Sequence, residues 1–215
     1  MAIKTGCLFI ISAPSGAGKT SLVKALLKKD SRISLSISYT SRPQRTGETN
    51  GCDYHFVDEE AFRRMQARGE FMESAEVYGN LYGTSQKWIN DTIASGQDIL
   101  LEIDCQGAKQ VRRFFAHAIG IFILPPSNIV LEERLIARDQ DTAEVIRKRL
   151  AAAREEVSHV NEFDYVIIND ELEKAVNDIV SIVNAERLKR EKQIIKYQAL
   201  IAQLTRNCNS SNPNS

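Results

Sequence analysis

Short apolar runs alternate with helical stripes along this chain. Cys7 to Ser12 is apolar and of strand length, and it reads as a buried strand. Lys19 to Lys29 follows with Leu22, Val23, Leu26 and Leu27 on one helical face. Asp98 to Asp104 predicts a second buried strand, with Ile99, Leu100, Leu101 and Ile103, and Gln106 to Ala116 a helix after it. Ile119 to Leu124 predicts a third strand, stopped by Pro125-Pro126, and Tyr165 to Ile168 a fourth, stopped by Asn169-Asp170. One long charged helix is expected from about Glu171 to Leu204. Strands alternating with helices predict an α/β fold with a parallel sheet.

Two stretches break that rhythm. Residues from about Ser38 to Thr84 are polar and Gly-punctuated, with small strands expected at Asp53 to Val57 and Phe71 to Val77 around a helix at Glu59 to Arg68. Residues from about Ser127 to Val157 read as a charged helical pair joined by Arg138-Asp139-Gln140-Asp141. Both look like insertions into the core. Asn207 to Ser215 is Asn/Ser-rich and reads as a disordered tail.

Charge changes the picture little at first. The chain carries 28 Lys+Arg and 28 Asp+Glu, so it is formally neutral. That argues against a nucleic-acid coat or a polybasic membrane binder. The basic helix Arg187 to Lys192 is interspersed with Glu186 and Glu191 and reads as a solvated face. No apolar stretch approaches the ~20 residues of a membrane helix. The four cysteines (Cys7, Cys52, Cys105, Cys208) and three histidines are scattered, so neither a disulfide framework nor structural zinc is expected, and a reducing cytoplasm is the default.

The first clear chemistry lies between the first strand and the first helix. Ala13-Pro14-Ser15-Gly16-Ala17-Gly18-Lys19-Thr20 matches the phosphate-loop pattern, with Ala13 at the first glycine position. Its glycines permit a backbone whose N–H groups turn inward onto phosphates. The helix N-terminus adds its dipole. Lys19 supplies a cation for the β/γ phosphates and Thr20 a hydroxyl for Mg²⁺. Asp104-Cys105-Gln106-Gly107 fits a GTPase D-x-x-G, but no N-K-x-D follows. Asp104 also suits a helix N-cap, and the two roles are compatible.

Ser38-Tyr39-Thr40-Ser41-Arg42-Pro43-Gln44-Arg45 sets two guanidinium groups three residues apart on an extended or turn segment, suited to a phosphate dianion. Then come Gly47-Glu48-Thr49-Asn50-Gly51, Asp53-Tyr54-His55-Phe56, Glu70-Phe71-Met72-Glu73, Tyr78-Gly79-Asn80-Leu81-Tyr82-Gly83-Thr84 and Leu101-Glu102-Ile103-Asp104-Cys105-Gln106-Gly107. In these strings and their order, over roughly Ile10 to Asp170, the chain resembles the guanylate kinase family.

That resemblance implies a P-loop nucleoside-monophosphate kinase fold, in which ATP phosphorylates GMP, and dGMP as well, with Mg²⁺. The implied layout is core at 1–37, a GMP-binding insertion at 38–84, core at 85–126, a lid at 127–157, core and C-terminal helix at 158–206, and a tail at 207–215. Arg42, Arg45, Tyr54 and Tyr82 match the family's ligands for the GMP phosphate. Ser38, Glu73 and Thr84 match its guanine contacts, with Gly83 beside them. Guanine offers N1–H and N2–H₂ to a carboxylate and O6 to a hydroxyl; adenine lacks N1–H. Glu102 and Asp104, two apart and expected on one strand face, lie between the nucleotides, with Asp104 favoured near the metal, through water, beside Thr20. The lid resemblance converges Arg134, Arg138 and Arg149 on the transferring phosphate. Asn169 joins the P-loop residues on the ATP side.

The departures are small: Ala13 for glycine, Thr84 where some members have Ser, and Cys52 at a commonly basic position. A non-catalytic guanylate-kinase-like scaffold domain would have degraded Lys19 and Thr20, which stand intact. A kinase for a ribose bisphosphate would leave Glu73, Ser38 and Thr84 without a shared purpose. Beyond the core, Leu188, Ile194, Ile195, Leu200, Ile201 and Leu204 form a helical stripe that predicts a homo-oligomer through the C-terminal helix.

Overall fold

The computed structural model describes residues 6–77, 79–136 and 143–209. Arg138 and the loop around it, and residues 210–215 of the expected tail, lie outside them.

Five parallel strands form the main sheet: β1 (Leu8–Ser12), β2 (Ile33–Leu35), β7 (Asp98–Glu102), β8 (Ile119–Leu124) and β9 (Tyr165–Ile168), in the order β2-β7-β1-β8-β9. The inner strands β1 and β8 are continuous apolar runs because both faces are covered, while Val166 and Ile168 of the edge strand β9 are half exposed. Period-2 alternation divides them. Phe9, Ile11 and Leu100 face one core with Leu22, Val23 and Leu26 of α1 (Lys19–Lys29) and Ala175, Val176, Ile179 and Val183 of α7 (Leu172–Arg187). Leu8, Ile10, Ile99 and Leu101 face the other, with Ile89 of α3 (Gln86–Ser95) and Ala108 and Val111 of α4 (Cys105–Phe114).

The first irregular stretch builds a sheet of its own from β3 (Tyr39–Thr40), β4 (His55–Phe56), β5 (Phe71–Val77) and β6 (Asn80–Ser85), ordered β4-β3-β6-β5. Helix α2 (Glu59–Ala67), N-capped by Asp58, packs on it. Phe62 and Phe71 stack at 4.5 Å, and a Cβ at Gly83 would lie 3.0 Å from each ring. The small sheet is clamped to the main core through Gln110 of α4. Its amide accepts from Ser74 N (3.2 Å) and donates to Ser74 O (2.9 Å). The second irregular stretch contributes α5 (Asn128–Ile136) and α6 (Ala143–Ser158).

Three expectations need correction, and four elements were not expected. The second strand ends at Glu102, so Asp104 is not on it; Asp104 is the N-cap of α4 and accepts from Gly107 N at 2.8 Å. Capping, not strand alternation, orients it. The long C-terminal helix is three: α7, α8 (Arg190–Lys196) and α9 (Gln198–Asn209). The break has a tertiary cause. Arg187 is held by Asp98 Oδ2 (2.6 Å) and Asp30, and its carbonyl accepts from Gln193 Nε2 at 2.8 Å. The chain therefore turns where no glycine or proline marks a stop. Residues 207–209, expected in a disordered tail, end α9. Strands β2, β3 and β6 and helix α3 carried too short or too mixed a pattern to be marked. Helix α3 is closed by Ser85, which accepts from Trp88 N, and by Gly96 at φ 83°.

Candidate functional site

The phosphate loop leaves the C-terminal end of the central strand β1. In an open parallel sheet, that end is where ligands gather. Gly16 (φ 92°) and Gly18 (φ 90°) adopt the left-handed backbone the loop needs, and Ala17 N bonds Pro14 O at 3.0 Å. Ala13 is only 7% exposed and packs into the main core, so a methyl is accommodated at the first position.

The loop opens onto a cleft of about 690 Å³ that reaches the small sheet. Lys19 Nζ donates to Ile103 O (3.3 Å). Thr20 Oγ1 donates to Glu102 Oε1 at 2.6 Å, because the β1–β7 register sets Glu102 beside Ile11, just ahead of the loop. Of the two carboxylates, it is Glu102 that meets the loop hydroxyl. Asp104 lines the same cleft but is engaged as a cap. Among the described residues no three His, Cys, Asp or Glu side chains are grouped to hold a metal. The Thr20–Glu102 pair is an oxygen set of the kind Mg²⁺ takes alongside phosphates and water.

Across the cleft, Arg42 is 8% exposed. It donates to Pro43 O (2.8 Å) and to both oxygens of Glu48 (2.7 and 3.0 Å), and its guanidinium lies 5.4 Å from the Tyr54 ring centroid. Glu48 also accepts from Arg45 N (2.9 Å), so one carboxylate ties both arginines to the turn. Arg45, Tyr54 and Tyr82 line the same wall, the tyrosine rings edge to face at 5.8 Å. Burial, with the Glu102 charge adding, pushes the Tyr54 hydroxyl up to about 12.

Glu73 is 4% exposed at the deep end. Thr84 Oγ1 donates to its Oε1 at 2.5 Å, and Ser38 Oγ lies 3.5 Å from Thr84 Oγ1. Burial raises the Glu73 carboxyl to about 7, opposed by the Thr84 bond and aided by the Asp104 charge. Gly107 makes the room: a Cβ there would lie 2.7 Å from Glu73 Oε2. Thr84 and Gly83 are buried on β6, Thr84 beneath the Glu73 carboxylate that it bonds.

The expected donor-side residues divide. Arg149 reaches the loop, its Nη2 donating to Ser15 Oγ at 2.7 Å. Arg134 lies behind the loop, bonded to Ala17 O (3.5 Å) and Asn169 O (3.1 Å), and Asn169 Nδ2 donates to Ala17 O (2.7 Å). Arg138 is outside the described residues. The reading of the sequence missed Glu48, Gly107 and Glu156, whose Oε2 accepts from Ser15 N at 3.1 Å. Glu48 had a signal, its place in the turn that follows Arg42 and Arg45. Glu156 had none, being one of many acidic positions on a charged helix.

A phosphate loop on a parallel sheet, facing paired arginines across a polar cleft, defines a P-loop kinase of the nucleoside-monophosphate type. Residues 6–186 match the family model for guanylate kinase. The chain is 61% identical over 199 residues to guanylate kinase of Nitrosomonas europaea, covering 93% of this chain and 99% of that protein. It is 60% identical over 206 residues to that of Nitrosospira multiformis, covering 96% and 98%. The crystal structure of guanylate kinase from Anaplasma phagocytophilum superposes with a TM-score of 0.75 at 36% identity, over 88% of this chain and 90% of that one. The chain belongs to the guanylate kinase family. Among the described residues no helix is long and apolar enough to cross a membrane.

Proposed function

We propose that this chain transfers the γ-phosphoryl group of ATP to GMP, and to dGMP, giving ADP and the nucleoside diphosphate. The observation that carries the acceptor assignment is Glu73, a buried carboxylate lining the cleft that the phosphate loop enters, bonded to Thr84 and with Ser38 beside it. A buried carboxylate must be paired, and guanine N1–H and N2–H₂ are the partners it suits.

In the proposed step, a GMP phosphate oxygen attacks the γ-phosphorus in line. The bond from that phosphorus to the β–γ bridging oxygen breaks, and ADP leaves with the electron pair. No general base is needed, since the attacking oxygen is already anionic. The loop amides and Lys19 hold the donor phosphates; Arg42 and Arg45, with Tyr54 and Tyr82, hold the acceptor. Arg149 neutralises charge on the donor side, and Arg134 with Asn169 supports the loop from behind. Arg138 is assigned to the same lid function. Thr20 and Glu102 would hold Mg²⁺, which supplies charge neutralisation on the phosphates when bound. Residues 38–84 then serve as the acceptor domain and 127–157 as the lid that excludes water.

Free Cys7, Cys52 and Cys105 are in keeping with a reducing cytoplasm. Leu188, Ile194, Leu200 and Leu204 are exposed, which supports a homo-oligomer through the C-terminal helices. Solution mass of the chain, with and without Leu200→Glu, checks that assembly.

The test of function is ADP formation with GMP, AMP, dTMP or ribose 1,5-bisphosphate as acceptor. GMP-selective, Mg²⁺-dependent turnover is expected; no turnover with GMP would sink the reading.

A further inference from the structure

We propose that Glu156 is a built-in competitor for the donor phosphates and thereby sets the chain's affinity for the donor nucleotide. The inference rests on the reading that the Ala13–Thr20 loop takes those phosphates.

The loop binds anions through backbone N–H groups. One of them, on Ser15, is already given to an anion of the protein itself, Glu156 Oε2 at 3.1 Å. Glu156 lies on α6, two helical turns after Arg149, so the two side chains leave the same face. They meet the same residue: Arg149 takes the Ser15 hydroxyl and Glu156 the Ser15 amide. At the start of α4, Cys105 Sγ donates to Glu156 O at 3.9 Å, which ties this point of α6 to the main core. Among the described residues, Lys19, Asp104 and Arg149 are charged groups that act on the carboxylate. A carboxylate oxygen on a loop amide occupies the place of a phosphate oxygen. A phosphate that uses Ser15 N–H must break this bond and then stand beside a negative charge. Helix α6 therefore carries one group that attracts the donor and one that contests its seat. Donor binding has to move Glu156 off the loop while Arg149 stays within reach.

A brace that merely shapes the loop predicts the opposite response to substitution, so the sign of the effect decides. The experiment is calorimetric binding of ADP, without GMP, to the wild-type chain, Glu156→Gln and Glu156→Ala, with folding checked by thermal melting. Glutamine keeps an acceptor oxygen but loses the charge; alanine removes both. ADP should bind Glu156→Gln about threefold more tightly and Glu156→Ala up to about tenfold more tightly, the worth of one charge-assisted hydrogen bond. Affinity for GMP, measured alone, should stay within about twofold. Unchanged or weaker ADP binding in the variants overturns the proposal and makes Glu156 a brace. If the alanine variant does not fold, the glutamine isostere decides alone. Failure of the wild-type chain to bind ADP would overturn the reading of the loop itself, and this inference with it.

Discussion

The Ala13–Thr20 loop and the small sheet around Glu73 meet across one cleft and are built by opposite means. The loop is one contiguous string. Its donors are backbone amides, and its shape depends on two glycines with positive φ. The acceptor wall is assembled from side chains. Ser38 and Arg42 flank β3, Tyr54 precedes β4, Glu73 is on β5, and Tyr82 and Thr84 are on β6. The loop presents polar groups to the open cleft. The small-sheet wall buries the Glu73 carboxylate, which accepts from the Thr84 hydroxyl. Backbone donors favour phosphate of any source, whereas a buried charged side chain discriminates, because a mismatched ligand leaves it unpaired.

The largest expected effect tests the loop. Lys19→Ala should lower kcat about 10²–10³-fold, the worth of one transition-state electrostatic contact, while GMP binding stays near the wild-type value. Steady-state kinetics with a separate GMP titration will show it; a loss confined to GMP affinity would erase the division between the two regions.

Next is Glu73→Gln. Its kcat/KM for GMP should fall about 10²-fold, with little change for AMP, so selectivity narrows. An unaltered GMP-to-AMP ratio would remove Glu73 from base reading.

A smaller effect is in pH. The Glu73 carboxyl is raised to about 7, and guanine needs it ionised. GMP should therefore bind about tenfold more weakly at pH 6 than at pH 8, with proton release on binding. The phosphate of GMP also titrates near pH ~6, so Glu73→Gln, which should flatten the profile, is the control. The stability effect has a definite sign. A raised folded pKa gives stability below the ordinary carboxylate range that is lost as pH rises through about 7. Glu73→Gln should thus unfold at higher temperature than wild type at pH 8, with the advantage gone at pH ~4. Matching melting curves at both pH values would contradict the buried charge.

The smallest effect belongs to Ala13→Gly. That position lies in the core and its backbone needs no glycine, so kcat should change less than about threefold and stability fall by about 0.5–1 kcal/mol. A large loss of turnover would mean that the loop depends on more than its amides.

The same contrast explains what was legible before any coordinates. The loop could be read whole, because eight adjacent residues specify its backbone. Strands β1 and β8 were legible because doubly covered strands are continuous apolar runs, and the edge strand β9 because its short apolar run is stopped by Asn169-Asp170. Arg42, Arg45, Tyr54, Tyr82 and Glu73, which line one cleft, could be grouped beforehand only as a set of strings in order; taken singly, Glu73 reads as a solvated carboxylate. The pairing of Thr20 with Glu102 was not legible, since the strand was expected to run on to Asp104. It follows from the β1–β7 register and from the capping bond that takes Asp104. The break after Arg187 was hidden for a similar reason: Asp30 and Asp98, which pin it, lie 157 and 89 residues away.

The sequence by itself determined the alternation of the inner strands with helices, the phosphate loop and the strings shared with the family. Each of these is written in residues close along the chain, where periodicity and backbone preference act. Tertiary structure alone decided that Glu73 is buried and titrates near neutrality, that Glu102 takes the Thr20 hydroxyl, and that Glu156 reaches the Ser15 amide. Those outcomes depend on burial and on contacts between distant residues. A carboxylate's chemistry is set by the medium and partners that folding brings to it, and neither is encoded at its own position.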